Sequence, residues 1–195
     1  MRQASDEELL RAIGAGDAGA FAELMRRHMG RVRAIGWRML GSAEAADDLA
    51  QEVFLRIWRN PALFDARRGP FVAWLARVAG NAAIDRLRRR REVSLDDEGG
   101  QALAATLADP APGPEEHAAE NERRAMLRAA IARLPERQRL AITLAHDLGH
   151  GNAEIAQIMG ISVEAAESLL ARARRTLKNR LRALLREHDG QEKQS

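Results

Sequence analysis

Apolar residues recur at steps of three and four along most of the chain. That is the period of a helix with one buried face, and it predicts an all-α protein. A first helix is expected near Asp6–Ala15. A second covers Asp17–Leu40, where the aspartate can cap the start. Ser42 opens a third that runs through Arg59. Asn60–Pro70 is rich in turn residues and reads as a loop, and Phe71–Arg90 as the last long helix of an N-terminal block. A second block starts near Glu120, runs to Arg133, breaks at Leu134-Pro135 and resumes over Glu136–His146 before a final pair of helices. Between the blocks, residues 92–118 hold proline, glycine and acid with little apolar periodicity. This stretch reads as a flexible linker, with room for a short helix around Gln101–Leu107. The expected organisation is therefore 1–91, an acidic linker at 92–118, a second domain at 119–187, and a tail at 188–195. No internal repeat is evident.

Composition supports this picture. Aromatic residues make up 4% of the 195 and tyrosine is absent, which argues against a sheet-based core. There is no cysteine, so disulfides, thiolate zinc sites and cysteine nucleophiles are excluded. No run approaches the roughly 18 apolar residues of a membrane span. The start, Met1 to Glu8, lacks the basic and apolar blocks of a signal peptide. A cytoplasmic protein with no membrane insertion is expected. The net charge of +3 hides a block pattern: +6 over residues 1–91, −7 over 92–118 and +5 over 119–187. Two basic modules flanking an acidic bridge are suited to a polyanion, because cationic side chains release counterions from phosphates.

The last two helices carry a helix-turn-helix pattern. Asn152 can cap the first, which has Ile155, Ala156 and Met159 on its inner face. Gly160 supplies a left-handed turn and Ser162 a second cap. Val163, Ala166, Leu170, Ala173 and Leu177 form the inner face of the next helix. Its other face carries Glu164, Ala165, Ser168, Ala171, Arg172 and Arg175. A small, polar face with arginines toward its end suits a helix laid in a DNA major groove. A plain helical hairpin is the alternative.

The segment Asp47–Trp58 shows more apolar surface than one inner stripe requires. Ala46, Leu49, Ala50, Val53 and Ile57 share that stripe. Asp48, Gln51, Leu55 and Trp58 lie opposite, edged by Asp47 and Glu52. Apolar side chains among acids point to a partner surface; alternatively, Leu55 and Trp58 pack under the following loop. Carboxylate chemistry or a metal is not expected here, because no histidine is adjacent and neighbouring residues diverge on a helix.

The loop Asn60–Pro70 offers Asn60, Arg67 and Arg68 beside the helix from Phe71 to Leu87, which ends in Arg88–Arg91. Phe71, Trp74, Leu75, Val78, Ala82 and Leu87 can supply a core. Trp74, Arg77, Asn81 and Asp85 line one stripe at helical spacing. Aromatic, arginine and asparagine side chains together can handle an unstacked or extruded base. The four-arginine run also favours the negative end of its own helix.

In this order, these segments resemble an extracytoplasmic-function sigma factor of bacterial RNA polymerase, over about residues 5–187. The resemblance implies two small helical domains. Asp47, Asp48, Gln51, Glu52, Leu55 and Trp58 would bind the clamp of core RNA polymerase. Asn60, Arg67, Arg68, Trp74, Arg77, Asn81, Asp85 and Arg86 would melt and read the promoter −10 element. Asn81, Asp85 and Arg86 stand where the family has an Arg-Asn-x-x-x-Asp-Arg pattern, although Gly80 replaces its first arginine. Leu134-Pro135-Glu136-Arg137-Gln138-Arg139 is similar to the start of the family's −35-binding domain. Glu164, Ala165, Glu167, Ser168, Ala171, Arg172 and Arg175 would read that element. Glu167 and Leu169 stand where basic residues are common in the family. The acidic linker would thread the polymerase's RNA-exit path.

The resemblance further implies a promoter-specificity factor that is not itself an enzyme, needs no cofactor, and is held by an anti-sigma factor. A sigma-like decoy and an ordinary helix-turn-helix repressor are the rival readings. His146 and His150 have metal-binding spacing but no evident third ligand, so no metal site is expected.

Overall fold

A computed structural model describes residues 4–96 and 118–192, with side chains placed for 4–92 and 124–183. Among the described residues there are eight α-helices and no strand: α1 Asp6–Gly14, α2 Ala18–Leu40, α3 Ala43–Arg59, α4 Phe71–Asp96, α5 Ala118–Ala132, α6 Glu136–Ile142, α7 Asn152–Met159 and α8 Val163–Glu192.

Local chemistry sets the helix starts. Ser5 and Glu8 form a reciprocal capping box, with Glu8 N–H donating to Ser5 Oγ at 3.2 Å and Ser5 N–H to the Glu8 carboxylate at 2.7 Å. One Asp17 oxygen accepts from the amides of Gly19 and Ala20 at 2.8 and 3.0 Å. Ser42 Oγ accepts from Ala45 N–H at 3.3 Å. Each satisfies amides that the first turn leaves unpaired.

The N-terminal group packs α1, α3 and α4 around α2. Leu24, Ile35, Met39, Leu49, Phe54, Ile57, Phe71 and Leu75 are fully buried there. The expected stripe of Ala46, Leu49, Ala50, Val53 and Ile57 is buried throughout, joined by Phe54. His28, which the sequence does not single out, meets Asp6 at 2.9 Å and the Phe71 ring at 5.2 Å. It thereby ties α1 and α4 to α2. The C-terminal group packs α5, α6 and α7 against α8, around Leu144, Ile155, Ile158 and Leu170.

Some expectations are displaced. α4 continues five residues into the stretch read as linker, because no glycine or proline lies between Gly80 and Gly99 to stop it. The remainder of that linker, residues 97–117, with its short helix, lies outside the described residues. The helix expected over Glu136–His146 widens after Ile142 into a π turn over Thr143–Asp147. There Leu148 N–H donates to the Thr143 carbonyl at 3.2 Å.

The two groups meet in one continuous core. Leu140 of α6 seats against Gly80 of α4, where an added Cβ would lie 2.8 Å from a Leu140 methyl. Arg139, 9% exposed, donates to the Met39 carbonyl at the end of α2 at 2.6 Å. Arg38 pairs with Asp147 at 2.9 Å, and Arg91 with Glu136. Gln157 of α7 donates to the Arg68 carbonyl at 3.1 Å.

Candidate functional site

Three surfaces bear on function. On α3, the outward face holds Leu55 at 41% exposure and Trp58 at 37%, with Asp48, Gln51 and Glu52 also exposed. Leu63, in the turn just after the helix, is 39% exposed. The loop therefore does not cover Leu55 and Trp58. One side of the Trp58 ring rests on Phe21 of α2, their centroids 5.0 Å apart. Phe21 is a member of this surface that sequence pattern misses, because only the tertiary fold brings it to Trp58. Asp47 pairs with Arg33 of α2. Glu52 pairs with Arg86 of α4 at 2.7 Å, and Arg86 also donates to the Ala45 carbonyl at 3.3 Å. Arg86 thus faces α3, apart from Asn81 and Asp85. An apolar centre flanked by carboxylates whose positions are set by arginines is suited to a partner with an apolar pocket and a basic rim.

The second surface is the loop before α4 and that helix's outer stripe. Asn60 ends α3, and Asn60, Arg67 and Arg68 are exposed. The backbone and guanidinium of Arg67 both donate to Asp65, at 3.1 and 3.0 Å. These hydrogen bonds hold the Asp65 carboxyl below its usual range and raise Arg67. They fix the loop tip as a short 3₁₀ turn over Ala66–Arg68. Asn81 and Asp85 are exposed, while Trp74 and Arg77 are half-buried. Trp74 stacks on Phe71 at 5.7 Å and meets the edge of Phe64 at 5.8 Å. The indole is anchored by an aromatic cluster and leaves part of its surface free.

The third surface is the helix-turn-helix. Gly160 sits at φ +63°, the left-handed turn predicted for it. Ser162 caps α8, its Oγ accepting from Ala165 N–H at 3.2 Å. Two details differ from the sequence reading. Gly151, not Asn152, caps α7, and its N–H donates to Glu154 at 2.9 Å. That hydrogen bond and then the nearby His150 hold the Glu154 carboxyl down. Val163 is 40% exposed because it occupies the first position of α8, outside the seam made by Ala166, Leu170 and Ala173. On the inner side of α7, Ile155, Ala156 and Ile158 are buried and Met159 is half-buried.

Glu164, Ala165, Glu167, Ser168, Ala171, Arg172 and Arg175 are all exposed on α8. The Glu164 carboxyl is held below its usual range by its own backbone N–H and the Ser162 hydroxyl, so it is engaged at the helix start. Freed from capping, the Asn152 amide donates instead to one oxygen of Glu167 at 3.2 Å. The other oxygen can accept from a ligand. Among the described residues no group of three potential ligands could hold a metal ion. No described helix is long and apolar enough to cross a membrane.

Fold and surfaces define a class: a helical protein of two packed groups, with an exposed apolar and acidic helix face in one and a helix-turn-helix in the other. Comparison makes this specific. The family model for Sigma-70 region 2 matches residues 24–93, and that for Sigma-70 region 4 matches residues 124–177. The ECF RNA polymerase sigma factor SigW of Bacillus subtilis is 32% identical over 90% of this chain and 96% of its own length. The RNA polymerase sigma factor CnrH of Cupriavidus metallidurans is 34% identical over 89% of this chain and 92% of its own. The chain spans 42% of the length of another relative, the probable sigma factor RfaY of Xanthomonas campestris, at 31% identity. Among solved structures, CnrH in complex with the cytosolic domain of CnrY superposes with a TM-score of 0.62 at 27% identity, covering 92% of this chain and 99% of that one. The chain belongs to the sigma-70 family, with extracytoplasmic-function sigma factors as its relatives.

Proposed function

We propose that this chain directs core RNA polymerase to promoters, docking through α3 and touching DNA through its two other surfaces. The carrying observation is the exposed pair Leu55 and Trp58, set among carboxylates on a helix inside the region 2 match. An ordinary repressor has no use for such a face. Domain two, residues 1–91, would engage the clamp through Asp47, Asp48, Gln51, Glu52, Leu55 and Trp58. The loop residues Asn60, Arg67 and Arg68 with Trp74, Arg77, Asn81 and Asp85 would hold the opened −10 strand. The stacked indole offers a base platform and the arginines offer phosphate contacts. Arg86 would act through Glu52, by keeping its carboxylate in place. Domain four, residues 119–187, would read the −35 duplex, and the acidic bridge would follow the RNA-exit path. Bond-making belongs to the polymerase, and the setting is the bacterial cytoplasm. An anti-sigma factor is the expected regulator, in keeping with the CnrH relative, which was solved with the cytosolic domain of CnrY.

On the −35 helix, Glu167 is held by Asn152 and accepts only. It cannot sit against a phosphate, and it favours the cytosine amino group in the major groove. Arg172, five residues further along the exposed side of α8, supplies the donor. Arg172→Ala is expected to weaken −35 duplex binding by about 1–3 kcal/mol and to relax preference at one base pair. Titrations against duplexes altered one pair at a time check this; a uniform loss would mark a phosphate contact instead. The reading as a whole is tested by reconstituted transcription with core polymerase. Promoter-dependent RNA that requires this chain supports it. Polymerase binding without initiation would assign the chain to the decoys.

A further inference from the structure

The first turns of α8 carry the chemistry that a helix laid in a major groove shows to base edges. Four side chains stand exposed there: Val163, Glu164, Ala165 and Glu167. Glu164 is turned back on the helix start, where its own backbone N–H and the Ser162 hydroxyl hold it. Ala165 reaches no further than its methyl group. Val163 and Glu167 remain, four residues apart and therefore one above the other on the same stripe. This stripe offers an apolar side chain and a hydrogen-bond acceptor, and neither residue brings a donor.

A carboxylate entering a groove lined by phosphates is repelled unless something holds it. Asn152 holds Glu167. It stands in the first turn of α7 with its amide free, because Gly151 and Glu154 form the cap there. The amide donates to one Glu167 oxygen at 3.2 Å and leaves the second oxygen to accept. A side chain fixed before binding loses less conformational freedom when it binds. A fixed acceptor suits the cytosine amino group. Adenine carries an amino group too, but its N7 acceptor lies beside it and repels a carboxylate. Val163, one turn earlier and 40% exposed, suits the methyl group of thymine. One helical turn of about 5.4 Å spans about one or two base pairs at roughly 3.4 Å each. On the reading of α8 as the −35 helix, on which this rests, we propose that Asn152 and Val163 set its base preference. Asn152 is a positioning residue that aims Glu167 at a cytosine amino group, and Val163 covers the methyl of a thymine one or two base pairs away.

The test uses the full chain with core polymerase, and promoter duplexes randomised over the −35 element. Sequencing the bound and unbound fractions gives the preference at each base pair. The parent should favour cytosine at one position by roughly tenfold, with thymine favoured one or two base pairs away. Asn152→Ala and Asn152→Asp should both reduce the cytosine preference to below about threefold, since neither can donate to Glu167. The thymine preference and the circular dichroism should stay unchanged in both, because Gly151 caps α7. Glu167→Gln, which brings a donor to the same place, should move the preference toward adenine. Deoxyuridine in place of the thymine removes only the methyl group. It should weaken the parent roughly fourfold and leave Val163→Ser unaffected. Bases selected in this element without cytosine among them would overturn the assignment. So would a cytosine preference that survives Glu167→Gln or both Asn152 variants, or deoxyuridine weakening Val163→Ser as much as the parent. In each of these cases the −35 reading still stands. A parent with no preference at any randomised pair overturns that reading and the assignment together.

Discussion

Replacing Leu55 and Trp58 together by alanine is expected to weaken binding to core RNA polymerase roughly 100-fold, a loss of about 3 kcal/mol. Leu55 and Trp58 are 41% and 37% exposed, so about two-fifths of each surface remains for a partner to cover. Covering it is worth about 1–2 kcal/mol per side chain by area. A tryptophan at the centre of an interface commonly exceeds that. The fold should survive, because the buried stripe of α3, from Ala46 to Ile57, is untouched. Within the chain the double substitution removes the packing of Trp58 on Phe21, and such an aromatic pair contributes about 0.5–1.5 kcal/mol. Fluorescence titration of core polymerase with labelled chain, alongside circular dichroism, reads both quantities. Unchanged affinity would remove α3 as the docking helix. Equal weakening from Glu44→Ala, exposed near the start of the same helix, would indicate a general electrostatic effect in place of a defined apolar contact.

The exposed face of α3, the outer stripe of α4 and the helix-turn-helix are legible because their information is local. In α3, apolar residues at steps of three and four assign the inner stripe, and whatever apolar side chains remain, Leu55 and Trp58, are surplus by subtraction. In the helix-turn-helix, Gly160 and Ser162 announce the turn and the cap within a few residues. The pattern misleads where neighbours compete. Asn152 is a strong capping residue, but Gly151 stands one position earlier with Glu154 placed to bond its amide, so the cap moves and the asparagine is released to Glu167. Arg86 is grouped with Asn81 and Asp85 by the family pattern, yet it follows Asp85 directly, so it turns to another side of α4, where it pairs with Glu52 of α3. The domain junction leaves almost no trace in the pattern. Gly80 reads only as a weak spot in a helix, and Leu140 as one more inner-face residue. Their complementarity depends on how two distant segments approach.

Arg139→Ala is expected to lower the thermal midpoint by roughly 10 °C, corresponding to about 3 kcal/mol in a chain of this size. Arg139 serves two helix ends at once. It donates to Met39 at the end of α2 and to the carbonyls of Ala132 and Leu134 at the end of α5. Those carbonyls lie where a helix has no amide left to offer them. Hydrogen bonds from a charged donor contribute about 1.5–3 kcal/mol each. Against that stands the cost of burying a guanidinium with no carboxylate bonded to it, and a buried, unpartnered Nε. The balance is stabilising because alanine would strand several buried acceptors and leave a void beside Leu140. Arg139→Met separates these effects: it refills the volume without restoring the donors. If the cation bonding the carbonyls matters most, methionine should recover less than half of the loss in calorimetry. If methionine restores the midpoint fully, the site is one of shape, and the guanidinium is not what joins the ends of α2 and α5.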